Sequence, residues 1–421
     1  MYDYSYCPNR TIMCIDLRSF YASVSCIIRG LDPLKTKLAV VGDVNRPGSV
    51  VLAATPPLKR RGIKQGSRSY DVPSYPDVYK VNPSMKTYVQ FSNKITRIAL
   101  QYVAPQDFHQ YSIDELFIDA TNSIHLFAKS PRELAERIKH DIFRYTRIDC
   151  TIGIGPNPLM SKIALDIESK KNEDGIAHWT YNDIPNKIWT IQPLSKFWGI
   201  SYKTEAKLNR KGIRSIGDLS RYPLESLKKE YGVVGEDLHL HSHGIDFSRI
   251  SHKYTPQTTS IGKSQILMRD YTIEEIPTVI LEQSEDVTFR LRNLKKLART
   301  VQFSIGYSRD YPGGFNKSYT FDQPTNLTSE IYSTCIKHLI QRYTGEPIRT
   351  VSLSLTNLVN EGEEQLSLFT DELRRRKEIL LSKTMDDIRN RFGKNSILRA
   401  ASYTPSGTAI YRNSLIGGHK A

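Results

Sequence analysis

Two hydrophobic periods take turns along the first 180 residues. TIMCID (11–16) is almost continuously apolar, as a buried strand is, and passes into SFYASVSCIIRG, whose helical pattern stops at Gly30. LAVVG and SVVLAA read as further strands, and Pro56-Pro57 opens a short basic helix over LKRRG. Residues 85–104 place apolar side chains at helical spacing. FHQYSIDELFIDAT is strand material, and PRELAERIKHDIFRYT is a helix whose Pro131 and Glu133 are start signals. CTIGIG and PNPLMSKIALDIES complete the block.

Residues 181–244 change character: helices are short, Lys and Arg are frequent, and Gly marks the turns. From about 250 to 360 the alternation returns. TPQTTSIGKSQIL is extended, Ile273 to Ala298 is helical, and RTVQFSIGY and NKSYTF are strands. LTSEIYSTCIKHLIQRY is a helix and TVSLSLTNLV a strand. Each block therefore runs strand, helix, strand, strand, helix, strand, the order of a ferredoxin-like βαββαβ sheet, and the class is α+β. The expected boundaries are 1–180, with residues 30–85 set apart inside it, then 181–244, 245–360 and 361–421. The last stretch begins with acidic EGEE, continues through an apolar knot and basic RRRK, and carries one helical segment.

Composition narrows the class. The chain has 421 residues, of which 39% are hydrophobic and 24% charged, a balance that excludes a wholly disordered protein. At about 150 residues per domain it holds roughly three domains. No apolar run approaches the roughly 18 residues a membrane helix needs, and MYDYSYCPNR lacks a secretory pattern, so no membrane is expected. Five scattered cysteines (Cys7, Cys14, Cys26, Cys150, Cys335) without a C-x-x-C pair exclude a disulfide scaffold and a cysteine zinc site. A reducing cytoplasm is the expected location. The formal net charge is +15, divided as +6 over residues 1–180 and +9 over 181–421. A surplus spread along the whole chain suits a long polyanion better than a small acidic ligand.

Two short segments carry candidate chemistry. Asp16 ends an apolar strand, where a side chain can project into a cleft. Asp114 and Glu115, in YSIDELFID, fall between two strand-like pieces, as at a hairpin turn. If these strands are neighbours, three carboxylates converge and repel unless a cation lies among them. Mg²⁺ takes oxygen ligands and leaves positions for water and phosphate, so the trio suits two-metal phosphoryl transfer. An Asp at a strand end or in a turn is, taken singly, an ordinary solvated residue, and Asp119 and Asp166 are read that way. The pairing of both segments in this order singles out Asp16, Asp114 and Glu115.

IDLRSFYASV, followed about a hundred residues later by YSIDELFID, resembles the Y-family of translesion DNA polymerases, in the UmuC/UvrX-like branch of bacterial SOS-type enzymes. The likeness spans nearly the whole chain. It implies a right-handed polymerase: palm and fingers over 1–180, a helix-hairpin-helix thumb over 181–244, a ferredoxin-like little finger over 245–360 and a C-terminal tail. It also implies two Mg²⁺ ions, dNTP substrates and primer–template DNA. Asp16 would bridge both ions, the Leu17 carbonyl would ligate the nucleotide-bound one, and Asp114 would be the second bridging carboxylate. Glu115 would be the catalytic glutamate, helping to hold the ion that activates the primer 3′-hydroxyl; Ser112 is the small hydroxyl before the pair. Tyr21 takes the place of the sugar-discriminating aromatic, while Phe20 is read as helix packing. Arg18 stands where some members carry a second, non-ligating aspartate. AATPPLKRRG offers Pro56 and Lys59 where relatives place a Tyr and an Arg on the triphosphate; Lys59 remains a point charge without an arginine's fork. The second triphosphate lysine is Lys170 or Lys171, and one extra residue in ESKKNEDGI leaves the two open.

The turn Trp198-Gly199-Ile200 precedes a basic helix and resembles a helix-hairpin-helix, which offers backbone N–H groups to a DNA phosphate. Ser201 replaces the usual second glycine, and Lys203 and Lys207 lie on the following helix. Lys263, in TTSIGKSQIL, is expected on a little-finger strand that tracks the template backbone. Gln365-Leu366-Ser367-Leu368-Phe369 closely resembles the bacterial sliding-clamp-binding consensus. There Gln365 supplies an amide, and Leu366, Leu368 and Phe369 fill an apolar groove of the clamp's beta subunit. A monomer is expected. Two competing readings are a catalytically silent DNA- and clamp-binding accessory protein, which needs no carboxylates, and a palm-type nucleotide cyclase, which needs no DNA handles. Error-prone synthesis in damage repair and the SOS response follows from the resemblance alone.

Overall fold

Ile12–Leu17 (β1) runs through the middle of the first sheet and buries every side chain except that of Asp16, which is half-buried. The structure, a computed structural model, describes residues 3–252, 256, 259–362 and 372–420. Phe20–Ile27 (α1) follows β1 directly, turned by Ser19 in the left-handed conformation. Lys37–Val41 (β2), Val51–Ala54 (β3), Pro56–Lys59 (α2) and Val78–Val81 (β4) come next, and their strands make a separate small sheet ordered β3-β2-β4. Met85–Ala99 (α3), Phe108–Gln110 (β5), Glu115–Asp119 (β6), Pro131–Thr146 (α4), Cys150–Gly155 (β7), Pro158–Ala164 (α5) and Ile176–His178 (β8) complete the block.

The main sheet is ordered β5-β6-β1-β7-β8. Its first four strands are antiparallel neighbours, the ferredoxin-like arrangement that the element order predicts, and β8 is added parallel to β7. The apolar stripes of α3 (Ile95, Ile98) and α4 (Leu134, Ile138, Ile142) close over Met13, Ile15, Ile118 and Ile152. Burial of each such side chain is worth about 1.5–3 kcal/mol.

α5 sits on β7 with almost no side chain between them. A Cβ on Gly153 would stand 2.1 Å from the Ser161 carbonyl oxygen, and one on Gly155 would stand 2.6 Å from the Ser161 nitrogen. The two glycines thus let backbone rest on backbone and fix where Lys162 leaves the helix. Past Ala164 the helix widens into a π turn over Leu165–Ser169, closed by the Lys170 N–H on the Leu165 carbonyl at 3.4 Å. Such a turn absorbs one residue more than an α turn. Tyr202–Asn209 (α6), Ile216–Arg221 (α7), Leu224–Tyr231 (α8) and Val233–Ser242 (α9) follow. Their Leu208, Ile216, Leu219 and Leu238 share one core with Leu159, Met160 and Ile163 of α5.

Residues 254–418 form a second unit. Ile261–Tyr271 (β9), Ile276–Asn293 (α10), Lys296–Tyr307 (β10), Gly314–Thr325 (β11), Thr328–Arg342 (α11) and Ile348–Asn360 (β12) repeat the βαββαβ order. The sheet is ordered β11-β10-β12-β9, all antiparallel, so its second and fourth strands lie inside. In the first sheet the first and third do. The second sheet is therefore ferredoxin-like in element order and departs from it in strand order. β10 and β12 carry the buried rows Val301, Phe303, Ile305 and Val351, Leu353, Leu355, and the most apolar strands take the protected inner places.

The stretch expected as a tail is, from residue 372 on, built onto this unit. Glu372–Phe392 (α12) and Ala409–Asn413 (α13) are joined to the domain by buried charges. Arg292 grips Asp386 with bonds of 2.6 and 2.9 Å, Arg389 and Arg399 both reach Glu285, and Glu282 accepts from Thr408. A local reading of RRRK and the helix after it carries no information about partners more than eighty residues away.

Candidate active site

Antiparallel pairing of β1 with β6 sets Asp16 opposite Glu115, and the Leu17 N–H donates to the Asp114 carbonyl at 2.9 Å. The two acidic segments thus meet at one end of two neighbouring inner strands. Ser112 Oγ donates to Asp114 Oδ1 at 2.6 Å, which orients that carboxylate. Burial, helped by Asp114 and Glu115 and opposed by Lys170, pushes the Asp16 carboxyl up to about 6. Asp119, at the far end of β6, accepts from the Thr121 backbone and faces Arg10, as an ordinary structural residue.

Two lysines hold the carboxylates. Lys162 Nζ lies 2.7 Å from Glu115 Oε1 and 3.1 Å from Asp166 Oδ2, and only 8% of its side chain is exposed. Cys14 Sγ also donates to Glu115 Oε1, at 3.2 Å, so that oxygen is committed and Oε2 is the one left to serve an ion. Lys170 Nζ lies 3.5 Å from Asp16 Oδ2 and 2.7 Å from Asp166 Oδ1. Lys170, directly after the π turn, is directed to the carboxylates; Lys171 is exposed, with its backbone N–H on Glu168. Asp166, expected as a solvated residue, is instead the link between both lysines.

Among the described residues no three His, Cys, Asp or Glu side chains are gathered closely enough to hold an ion unaided. The donor chemistry still fits Mg²⁺, which needs one or two carboxylates and completes its shell with phosphate oxygens and water. Asp16 and Asp114 flank the Leu17–Asp114 backbone contact, so two carboxylates stand on the same side as the Leu17 backbone.

Tyr21 stacks on Tyr88 of α3, with centroids 4.4 Å apart and planes at 14°. Tyr88 is fully buried and its hydroxyl meets Ser25 Oγ at 2.8 Å, so the Tyr21 ring has a fixed backing. Burial and the nearby Asp114 raise the Tyr21 phenol, which places the ring beside the acidic cluster. Phe20 is buried as expected. Lys59 ends α2, and its ammonium is disfavoured by desolvation while sensing Asp16, Lys170, Arg18 and Asp114. Arg18 pairs with Asp149 at 3.0 Å, a structural use for the departure at that position.

The thumb turn has Gly199 at φ +94°, a conformation that favours glycine, with Ile200 buried beneath it. Ser201 caps α6 by accepting from the Thr204 N–H at 3.3 Å, which explains a hydroxyl where glycine is usual. Trp198 packs edge-on against Tyr111, 6.0 Å between centroids, and braces the turn on the β5–β6 hairpin. Lys203 and Lys207 are exposed on α6.

Lys263 is only partly exposed and its ammonium is turned to an acid. It pairs across the ladder with buried Leu353 and its ammonium lies 3.6 Å from Asp286 of α10, on the helix-covered side of the second sheet. The expected backbone contact is corrected accordingly. The other side is built in rows that cross all four strands: Gly262-Ser354-Gln302-Ser318, Ser264-Ser352-Ser304-Asn316 and Ile266-Thr350-Gly306-Gly314. No residue in these rows is charged. The expected clamp-binding residues Gln365, Leu366, Leu368 and Phe369 lie outside the described residues.

The impB/mucB/samB family matches residues 15–166 and its C-terminal domain matches 258–368. The DNA polymerase-iota thumb domain matches 196–246. A putative UV-damage repair protein UvrX of Bacillus subtilis is 48% identical, covering all of both chains. DNA polymerase IV 2 of the same organism is 37% identical over 98% of this chain and 99% of its own. The chain belongs to the Y-family of DNA polymerases. A solved Dbh–Dpo4 Y-family chimera has the same fold, with a TM-score of 0.65 at 19% identity over 83% of this chain and 99% of its own. As a Y-family member the chain is a DNA-directed DNA polymerase, and the cyclase and silent-accessory readings fall away. Among the described residues no helix is long and apolar enough to cross a membrane. Sequence reasoning missed Lys162, Asp166 and Tyr88 at this site. Lys162 did carry a signal: a single charge inside the otherwise apolar run PLMSKIA, which a helix buries on every side.

Proposed function

We propose that this polymerase performs error-prone translesion synthesis, extending primer–template DNA with dNTPs by two-metal nucleotidyl transfer. The observation that carries the reading is the β1–β6 pairing that sets Asp16 against Asp114 and Glu115 inside a ring of lysines. Two Mg²⁺ ions held by Asp16, the Leu17 carbonyl, Asp114 and Glu115 supply charge neutralisation for the triphosphate and the primer 3′-hydroxyl. Lys59 and Lys170 draw in the triphosphate as point charges; Lys171, facing away, takes no part. Lys162, 2.7 Å from Oε1, keeps the Glu115 carboxylate aimed. Tyr21, backed by Tyr88, closes the space a ribose 2′-hydroxyl would need.

Gly199, Ile200 and Lys203 present the thumb turn and the start of α6 to a DNA phosphate, a contact that fixes position without reading sequence. The uncharged rows of the second sheet suit neutral contacts along a duplex. Gln365, Leu366, Leu368 and Phe369 engage the sliding clamp, and the protein works as a cytoplasmic monomer in the SOS response to damaged DNA. Primer extension on a defined template with Mg²⁺ and dNTPs tests the reading. Wild-type extension that disappears in Asp114→Ala is expected; a clean wild-type protein that binds primer–template but extends nothing, even with clamp added, refutes it.

A further inference from the structure

We propose that Asp166 is a positioning residue of the nucleotidyl-transfer site, holding Lys162 on Glu115 and Lys170 on Asp16 through its two carboxylate oxygens. The proposal rests on the active-site reading above and assigns the element that sets its cationic side. The five groups alternate in sign, Glu115, Lys162, Asp166, Lys170, Asp16, with contacts of 2.7, 3.1, 2.7 and 3.5 Å in that order. Asp166 is the only member that touches both lysines, one with Oδ2 and one with Oδ1.

Its place in the chain fits the task. Asp166 is four residues from each lysine, the spacing at which helix side chains meet, and it sits in the π turn between them. The Glu115 end of the chain of charges is buried. The other end opens outward, where the Lys170 side chain is 41% exposed and can meet an anion. A lysine is a flexible stem with a hydrated point charge, so its location depends on a fixed partner. Asp166 supplies that partner on the helix, leaving Lys170 ready to transfer from Asp16 to a triphosphate oxygen without losing its anchor.

A double-mutant cycle tests this on the full chain. The primary readout is the Kd of a dNTP on primer–template ended with a dideoxynucleotide, where no turnover occurs; kcat and KM are measured on extendable primer. Asp166→Asn should weaken dNTP binding about five- to tenfold, and Lys170→Ala should do the same. In the Lys170→Ala background, Asp166→Asn should add less than about twofold to the dNTP Kd, because that readout reports the Lys170 arm, whereas the Lys162 arm on Glu115 is read in kcat. Asp166→Glu, which restores a carboxylate, should recover most of the affinity; this guards against an effect of misfolding. Asp166→Asn binding dNTP within about twofold of wild type, or effects that multiply in the double variant, overturns the proposal. A wild-type protein that extends no primer refutes the active-site reading itself, a distinct outcome.

Discussion

With Tyr21 as the proposed floor under the nucleotide sugar, its replacement by alanine should open that floor, and the stack on Tyr88 sets the size of the effect. The ring cannot retreat from a 2′-hydroxyl, because Tyr88 lies 4.4 Å behind it and nearly parallel, itself fully buried and tied to Ser25. Forcing extra atoms against a packed ring costs about 1–3 kcal/mol. Breaking the stack costs about 0.5–1.5 kcal/mol more. Together these give about 1.5–4.5 kcal/mol, or roughly 10- to 2,000-fold in the ratio of kcat/KM for dNTP over rNTP. Single-nucleotide incorporation on one template, with both sugars, measures the ratio directly. Tyr21→Ala should lose that factor while Tyr21→Phe keeps it. Tyr88→Leu, which leaves the gate but removes its backing, should lose about fivefold. A Tyr21→Ala enzyme that keeps its sugar preference within about threefold refutes the gate and with it the need for the stack.

Gly153→Ala places a Cβ 2.1 Å from the Ser161 carbonyl, so α5 must lift; we expect destabilisation of about 3 kcal/mol or more, with reduced kcat because Lys162 moves with the helix, read by thermal unfolding and steady-state kinetics. Lys203→Gln should lower the slope of log affinity for DNA against log salt by about one, whereas Lys263→Gln, facing Asp286, should leave the slope unchanged. Burial lowers His243 to about 4, so the unfolded chain binds the extra proton and stability should fall as pH drops from about 6.5 towards 4. Allowing for partial solvent screening the loss is about 1–2 kcal/mol, and urea unfolding of His243→Gln across that range should show a flatter profile.

The first sheet and its acidic edge were legible because their information is local. An apolar strand ending in Asp16 and a hairpin bearing Asp114 and Glu115 each announce themselves within ten residues, and the βαββαβ element order, itself readable from the pattern, pairs the two strands although they lie about a hundred residues apart. Lys263 was misplaced although parity held the answer: Ile261, Lys263, Gln265 and Leu267 share one face of β9, and two of them are core residues. The choice between Lys170 and Lys171 could not be made by counting, since it depends on whether the extra residue is absorbed in the helix or in the loop after it. The strand order of the second sheet and the anchoring of α12 depend on competition among distant apolar strands and on ion pairs such as Arg292–Asp386. A one-dimensional pattern does not encode those.

The uncharged rows of the second sheet bear on how a polymerase moves. A lysine or arginine on a phosphate displaces counterions, and that pairing must be undone each time the duplex advances by one base pair. Hydroxyls, amides and glycine hydrogens make neutral contacts worth about 1 kcal/mol each, which water can replace as easily as it yields them. On the DNA path proposed above, such a face offers low friction and no preferred stopping point. A sheet of this kind acts as a bearing rather than as a grip.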